Sequence, residues 1–429
     1  MRLRLTNPAQ RSLFIIATVL VAAILCWEGG KHALAMYWAN SDNPQDWQRA
    51  ATLEPSNAEN WDLLGRYRQL DFENEDLPLA ISYYRRAIDL IPESPYYWLD
   101  LASAYDEAGN AAAAESAFQT AERDHPISGE AAWRYGNFLL GQGRTDQAYA
   151  EIHRALISEP RWVDLAVSRT WRSSQDVNLL LDRVLPDVPE ARAEALKFLV
   201  TQNHPDAALV VWQRIVQRHD APPLAKAVPL VDALIAQNHV SQAWLVWQQA
   251  LTDSGTPSVA SGDSRVTDGG FETELTNGGF GWRNQPQPGA DVKLDSSDPH
   301  SGSYDLEIRF DGSTNVDFSG LSEFVPVEPA TLYRFSAYMR AENLVTDGSV
   351  HFEIFDPQHP NDPVIVTQGV AGNEPWTLIT EDFRTADDTK VLTVRLRRPA
   401  STLLTKIEGT AWVDDVSLVA VAAPAGTAP

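Results

Sequence analysis

Four positions of this chain recur at a fixed spacing of 34 residues, and this repeat constrains the fold more than any other feature. The recurring residues are Ala80, Ala114 and Ala148; Tyr84, Phe118 and Ile152; Ala87, Ala121 and Ala155; and Pro92, Pro126 and Pro160. The two small positions let paired helices approach closely, the large apolar residue fills the space between them, and the proline ends the second helix. A repeated pair of helices is therefore the predicted building unit of this region.

The first helix of each pair carries a matching pattern. Trp61 and Gly65 of one unit correspond to Trp98 and Ala102 of the next, and Gly109 marks a turn. This combination resembles the tetratricopeptide repeat. The first unit has three extra residues near 71–76, which predicts a longer turn, and degenerate copies extend the predicted helical region to 41–252.

The resemblance implies a superhelix whose concave face binds an extended peptide or another protein through the first helices. The candidate protein-binding residues at the matching positions are Asp62, Arg66, Tyr96, Asp106, Trp133 and Asn137. For each of these side chains, solvation or packing against the next repeat is the alternative explanation. The resemblance therefore predicts a protein partner for the repeats.

The N-terminus carries a basic tail, residues 1–11, followed by an apolar segment. The run from Leu13 to Trp27 is apolar, and its extension to 12–30 contains one charged residue, Glu28. A span needs about 20 residues and the basic side stays in the cytoplasm, so we predict a single-pass inner-membrane anchor with the remaining chain periplasmic or extracellular. The sequence HALA at 32–35 offers a signal-peptidase site, so cleavage followed by secretion is the alternative.

The composition narrows the class of partner. The formal net charge is −24 at pH 7, whereas nucleic acids and anionic lipid surfaces are bound by clustered Lys and Arg. Nucleic acid is therefore excluded as the expected partner. The one cysteine, Cys26, lies in the apolar segment, so neither disulfides nor thiolate metal sites are expected in the folded region.

The sequence pattern changes after residue 252. Residues 253–264 are small and polar, which is typical of a linker. From 265 to 420, segments such as YDLEIRF, YRFSAYM, VHFEIF and VLTVRLR alternate apolar and polar residues. This alternation predicts half-buried antiparallel strands, and about 150 residues of them suit a β-sandwich. The predicted fold class is therefore multidomain: a transmembrane helix, an all-α solenoid, an all-β jelly-roll sandwich and a tail at 421–429.

Four motifs in the β region occur in a defined order: GGFE with GFGW, DPHSGSYDLEI, FVPVEPATLYRFSAYMRAEN and GTAWVDDVSL. Together they resemble the jelly-roll carbohydrate-binding modules that accompany bacterial xylanases and cellulases. The resemblance implies a structural calcium held by Glu272 and Asp415, with Asp414 as the alternative, and by backbone carbonyls near 300–303. Without metal, these acids would instead accept hydrogen bonds from backbone amides.

The resemblance also implies sugar rings stacked on aromatic side chains of the concave face. Most aromatic residues fall where the family has core residues: Phe271, Trp282, Tyr333, Phe335, Trp376 and Trp412. The candidate carbohydrate-binding residues lie in the opposite strand register: His351, Glu353, Phe355, Arg395 and Arg397. A charged, solvated face is the alternative explanation for them.

The sequence contains no zincin histidine pair, no Gly-x-Ser-x-Gly elbow and no phosphate-binding glycine loop. Asp305 with Glu307 is the nearest arrangement to a glycosidase pair. We therefore predict a non-enzymatic, membrane-anchored adaptor that binds a protein through its repeats and a polysaccharide through its sandwich, in the assembly or export of surface glycan. The alternative is a protein scaffold whose sandwich binds protein or acts as a spacer without affinity for sugar.

Overall fold

The structure, a computed structural model, describes residues 8–71, 73, 75–220, 223–253, 263–401, 403 and 406–421. Arg2 and Arg4 of the basic tail, residues 254–262 of the predicted linker and residues 422–429 of the predicted tail lie outside this part of the chain. The chain forms two compact units, one ending at Ala191 and the other beginning at Arg192.

The first unit is helical. Its helices are α1 (Pro8–Ala39), α2 (Pro44–Leu53), α3 (Ala58–Leu70), α4 (Leu77–Leu90), α5 (Pro95–Glu107), α6 (Ala111–Asp124), α7 (Gly129–Gly141), α8 (Thr145–Ser158), α9 (Val163–Ser174) and α10 (Val177–Leu179), with a 3-10 turn at Pro160–Trp162 and a π turn at Leu180–Val184. The pairs α3–α4, α5–α6 and α7–α8 are the 34-residue repeats. Three of these helices are preceded by N-capping residues, Asn57, Asp76 and Asn110. The side chain of each accepts a hydrogen bond from a backbone N–H of the first turn. The connection from α3 to α4 is longer than that from α5 to α6, as the extra residues predict.

The paired helices approach closely because their contact positions are small. Ala80, Ala114 and Ala148 are fully buried. A Cβ atom placed on Gly65 of α3 would lie only 2.5 Å from the Tyr84 ring of α4, which close packing does not allow. The tetratricopeptide-like architecture predicted from the spacing is therefore confirmed.

Helix α1 is long and apolar enough to cross a membrane. The candidate span is Arg11–Ala39, 29 residues, which is roughly 43 Å at 1.5 Å per residue against a hydrocarbon core of about 30 Å. The C-terminal end of α1 contacts α2. Ala35 is buried there, and His32 Nδ1 lies 3.1 Å from Glu54 Oε1. One continuous helix therefore joins the apolar segment to the repeats.

The second unit combines helices with a β-sandwich. Its helices are α11 (Pro189–Thr201, which begins in the first unit), α12 (Pro205–Gln217), α13 (Leu224–Ala236) and α14 (Val240–Asp253), and its strands are β1 (Arg283–Asn284), β2 (Ala290–Asp295), β3 (Asp305–Asp311), β4 (Leu321–Pro326), β5 (Leu332–Val345), β6 (Val350–Phe355), β7 (Ile365–Val370), β8 (Gly372–Arg384), β9 (Val391–Arg397) and β10 (Glu408–Ala420). Sheet A has the strand order β1-β4-β9-β6-β7 and sheet B has β2-β3-β10-β5-β8, and the paired strands are antiparallel. The predicted all-β sandwich is confirmed.

The core between the two sheets contains most of the aromatic residues that were expected there. Phe271, Trp282, Tyr333 and Phe335 belong to it and are at most 2% exposed. Trp376 and Trp412 do not belong to this core. Their strands turn these side chains to the outer face of sheet B, where both rings contact the Arg340 guanidinium.

The last helix pair of the second unit packs against the sandwich through the sequence GGFG at 278–281. Phe280 is fully buried and meets the rings of Trp244 and Trp247 edge-on, at centroid distances of 5.3 and 6.3 Å. A Cβ atom on Gly279 would lie 2.4 Å from the Trp247 ring, and φ at Gly279 is +61°. Glycine is therefore required at this contact for both space and backbone conformation.

Candidate functional site

The five predicted carbohydrate-binding residues share the outer face of sheet A. Strand β6 contributes His351, Glu353 and Phe355, because Val350, Phe352 and Ile354 between them face the core. Strand β9 contributes Arg395 and Arg397 for the same reason. The register pairs His351 with Arg397 and Glu353 with Arg395. The structure therefore brings all five residues together.

A row of three side chains crosses this face, and two of its members were missed by the sequence analysis. Thr393 of β9 pairs with Phe324 of β4 on one side and with Phe355 of β6 on the other. The backbone positions of Phe324 and Phe355 are thus separated by two strand spacings, roughly 10 Å. Thr393 is only 6% exposed, and its Oγ1 has no hydrogen-bond partner within the described residues. A buried hydroxyl without a partner lies between two half-buried aromatic rings.

The arginines on this face are held by neighbouring groups. The guanidinium of Arg395 lies 4.8 Å from the centroid of the Phe355 ring and pairs with the Glu353 carboxylate. Arg397 Nη1 lies 2.5 Å from Asp317 Oδ1 and donates to the Phe318 carbonyl. Each positive charge therefore faces a carboxylate, and the face carries balanced charge rather than a cationic patch.

Phe324 was not predicted as a binding residue because the apolar and polar residues of β4 do not alternate in the expected order. Within SEFVP, the polar residue Glu323 faces inward and is fully buried, with its Oε1 accepting a hydrogen bond from Thr267 N at 2.7 Å. The apolar residue Phe324 faces outward. The sequence shows only that a polar and an apolar residue alternate against the expected pattern in this strand, and the structure shows which of them faces outward.

The six predicted protein-binding residues lie on the first helices α3, α5 and α7. Tyr96 is 55% exposed and Asp106 is also exposed. Trp133 is buried and stacks on Trp162 with centroids 5.3 Å apart. Asn137 Nδ2 donates to the Trp133 carbonyl at 2.7 Å. The structure thus leaves Tyr96 and Asp106 accessible and engages Trp133 and Asn137 in packing.

Asp62 and Arg66 belong to a charge network that crosses three repeats. Asp100 of α5 accepts from Arg66 Nε at 2.8 Å and from Arg134 Nη1 at 2.8 Å. Burial, and then the negative charge of Asp100, raises the pKa of Asp62 to about 7. Asp100 and Arg134 were missed, although their spacing of 34 residues places them at the same position of successive repeats. The network joins neighbouring first helices.

The acids predicted to bind calcium meet at the start and end of the sandwich. Asp414 and Asp415 lie with His300 so that one ligand atom from each is within 4.8 Å of the others. Asp414 Oδ2 accepts from Ser301 N at 3.0 Å, and Glu272 Oε1 accepts from Ser303 N at 2.7 Å. Burial raises the pKa of Asp414 to about 6. We call this cluster the acidic seam.

Residues 264–402 match a carbohydrate-binding domain family. The matched segment is about a third of the chain and contains the Phe324, Thr393 and Phe355 row. A search of curated proteins gives no match. The chain therefore combines tetratricopeptide-like repeats with a sandwich that resembles carbohydrate-binding modules.

Three solved structures are similar to parts of the chain. A structure described as "Crystal structure of YrrB: a TPR protein with an unusual peptide-binding site" is 14% identical, covers 50% of this chain and 95% of its own, and has a TM-score of 0.26. "Family 16 Carbohydrate Binding Module-2" is 18% identical, covers 36% and 99%, and has a TM-score of 0.26. "CBM4 structure and function" is 17% identical, covers 36% and 99%, and has a TM-score of 0.27.

Asp305 on the outer face of sheet B yields a pH-dependent prediction. It is fully buried, neither carboxylate oxygen has a hydrogen-bond partner within the described residues, and burial followed by the charge of Asp295 raises its pKa to about 7. The native state therefore binds a proton that the unfolded chain releases above about pH 4, so Asp305 destabilises the protein increasingly as pH rises to about 7. In the presence of chelator, Asp305→Asn should become more stable relative to the wild type as the pH rises from 4 to 7. The difference between the two melting temperatures should then level off above pH 7.

The matched control is Asp291→Asn, which alters an exposed acid on β2. Its melting-temperature difference from the wild type should stay flat over the same range. Parallel pH curves for Asp305→Asn and the wild type would show that Asp305 is ionised in the folded protein and would contradict the prediction.

Proposed function

We propose that this chain is a non-enzymatic, membrane-anchored and exported adaptor, which binds a protein partner through its helical repeats and a polysaccharide on the outer face of sheet A. We propose surface glycan assembly or export as its setting. One observation carries the glycan role: the half-buried Phe324 and Phe355 rings flank Thr393 on the outer face of sheet A. The match of this segment to a carbohydrate-binding domain supports the same assignment.

The chemistry of this face suits a neutral sugar chain. Sugar rings present apolar C–H faces that pack on aromatic rings, and their hydroxyls need polar partners at the ring edge. Thr393 Oγ1 and Arg395 Nε are buried polar atoms without hydrogen-bond partners within the described residues. Because both atoms are buried, a sugar would first contact the half-buried Phe324 and Phe355 rings beside them.

Alanine substitution of either ring tests the glycan role. On a broad glycan array, the full-length wild type should bind selectively, and Phe324→Ala or Phe355→Ala should each weaken binding about tenfold or more, equivalent to about 1.4 kcal/mol, because a stacking surface is lost. The control is Leu378→Ala, which removes a half-exposed apolar side chain from the outer face of sheet B and should leave binding unchanged.

Two results would speak against this assignment. A folded wild type that binds nothing on the array would favour the alternative, a protein scaffold whose sandwich has no affinity for sugar. Selective binding that survives both phenylalanine substitutions would place the sugar elsewhere on the molecule.

The non-enzymatic role is supported by the surroundings of Asp305. A glycosidase pair needs two carboxyl groups that face a substrate. The Asp305 side chain is fully buried on β3 and Glu307 pairs with Lys293, so these two acids do not form such a pair. Binding is the role that this arrangement favours.

We further propose that calcium binds the acidic seam. Carboxylate oxygens of Asp414 and Asp415 converge there, and Glu272 contacts the same loop through Ser303. Calcium prefers such oxygen donors and would stabilise the negative charges that burial disfavours. Backbone N–H groups already bond to these acids, so the alternative without metal has structural support as well.

Calcium removal distinguishes these two possibilities. At pH 7, calcium at about 100 times its dissociation constant should stabilise the protein by about 2.7 kcal/mol relative to chelator, which raises the melting temperature by roughly 5–10 °C. Asp415→Asn should abolish this difference, and Asp291→Asn should retain it. Identical melting curves with calcium and with chelator would support the metal-free seam.

The anchor proposal rests on the C-terminal end of α1. The HALA sequence at 32–35 is helical there, and Ala35 is 1% exposed. Cleavage after Ala35 would remove this packed end of α1, and the basic residues before the apolar run favour a cytoplasmic N-terminus, so we propose a retained anchor. The accessible side chains of Tyr96 and Asp106 are the candidate contacts for the protein partner.

Two membrane experiments test the anchor and the partner-binding face. After alkaline extraction the full-length chain should remain with the membrane. In a separate pull-down from untreated membranes, the full-length chain should capture a protein that the double variant Tyr96→Ala, Asp106→Asn does not capture. Ile127→Ala, which alters a turn residue that is 85% exposed, should retain capture. A soluble chain that begins after Ala35 would establish the cleaved alternative. Equal capture by the double variant would show that the partner binds elsewhere than at Tyr96 and Asp106.

A further inference from the structure

Helix α13 and sheet A line an open cavity of about 320 Å³ beside the candidate glycan face. The helix lines it with Asp232, Ile235 and Ala236. The sandwich lines it with Arg283, Phe324 and Gln358, among others. This volume is at the lower end of the range of about 300–1,000 Å³ that ligand pockets occupy.

Phe324 makes the cavity continuous with the glycan face. Its ring belongs to the row with Thr393 and Phe355 and also lines the cavity. A chain bound along the row therefore reaches the cavity at the β4 side of sheet A, where helix α13 lies. A site made from the sandwich alone would be open at this side.

The polar groups of the cavity are fixed by the helix. Asp232 Oδ1 accepts from Gly279 N at 2.9 Å and from Arg283 Nη2 at 2.7 Å. Arg283 Nη2 also donates to the Gly279 carbonyl at 2.6 Å, and its guanidinium lies 4.4 Å from the Phe324 ring centroid. Asp232 thereby fixes the planar donor group that lies against the ring.

The charge balance indicates the class of ligand. Arg283 is the cationic residue among the described residues that line the cavity, and it is paired with Asp232 instead of being free to select a carboxylate or phosphate. Phe324, Ile235 and Val391 supply apolar surface, and the Gln358 amide supplies a further polar group at the wall. An uncharged sugar ring matches this combination of an aromatic plate, apolar walls and a few fixed polar groups.

We propose that helix α13 forms one wall of a subsite for a neutral saccharide residue, next to the Phe324 and Phe355 row. This inference rests on the proposed glycan role of that row. Helix α13 then sets how long a glycan the protein recognises.

The test uses the full-length chain and neutral cello-, xylo- and manno-oligosaccharides of two to six residues. In Ala236→Trp the new side chain fills the cavity from the helix side, since Ala236 is exposed and lines it. Affinity for the longest oligosaccharides that bind should fall tenfold or more, whereas affinity for the shortest should stay unchanged. Gln358→Ala, which alters the sandwich wall without changing the helix, should weaken binding with the same dependence on length.

The control is Gln242→Trp, which adds the same side chain at an exposed position of α14 outside the cavity and should bind every oligosaccharide as the wild type does. If Phe324→Ala abolishes binding while Ala236→Trp and Gln358→Ala bind all lengths normally, the subsite is overturned and the glycan role stands. If the wild type binds none of these oligosaccharides, the neutral-saccharide subsite is overturned, and a simultaneous lack of binding on the glycan array removes the glycan role as well.

Discussion

The contact of Asp232 with the first strand of the sandwich organises the second unit. One carboxylate oxygen holds the backbone of Gly279 and the guanidinium of Arg283. The turn can reach that oxygen because glycine leaves room for Trp247 and tolerates a positive φ. Phe280 is then enclosed by tryptophan rings, and Arg283 is placed against Phe324. The position of the aromatic row relative to helix α13 follows from this contact.

Paired charges determine what each surface can bind. On the first helices, Asp100 accepts from Arg66 and Arg134, so these groups join neighbouring repeats instead of facing solvent alone. On sheet A, Glu353 faces Arg395 in the same way. On sheet A, such pairing leaves the half-buried Phe324 and Phe355 rings as uncharged surface. A protein with a net charge of −24 can therefore present a face that suits neutral ligands.

The sandwich contains three buried acids with raised pKa values. Asp305, Glu323 and Asp414 are each fully buried, and burial raises the pKa of all three. Glu323 has a backbone partner in Thr267, and Asp414 has one in Ser301. Asp305 has none within the described residues. The sandwich therefore carries an electrostatic cost at neutral pH, which a cation near Asp414 would offset.

The helix pairs, the sandwich and the shared face of His351, Glu353 and Arg395 were predictable from the sequence. A spacing of 2 residues places side chains on one face of a strand, and a spacing of 34 residues marks equivalent positions of successive repeats. The outward orientation of Phe324, the position of Trp412 outside the core and the packing of helix α13 beside sheet A depend on the tertiary structure. These outcomes depend on strand order and on contacts between residues far apart in the chain, such as Asp232 with Arg283. Local periodicity carries no information about such contacts, because they form only when the chain packs.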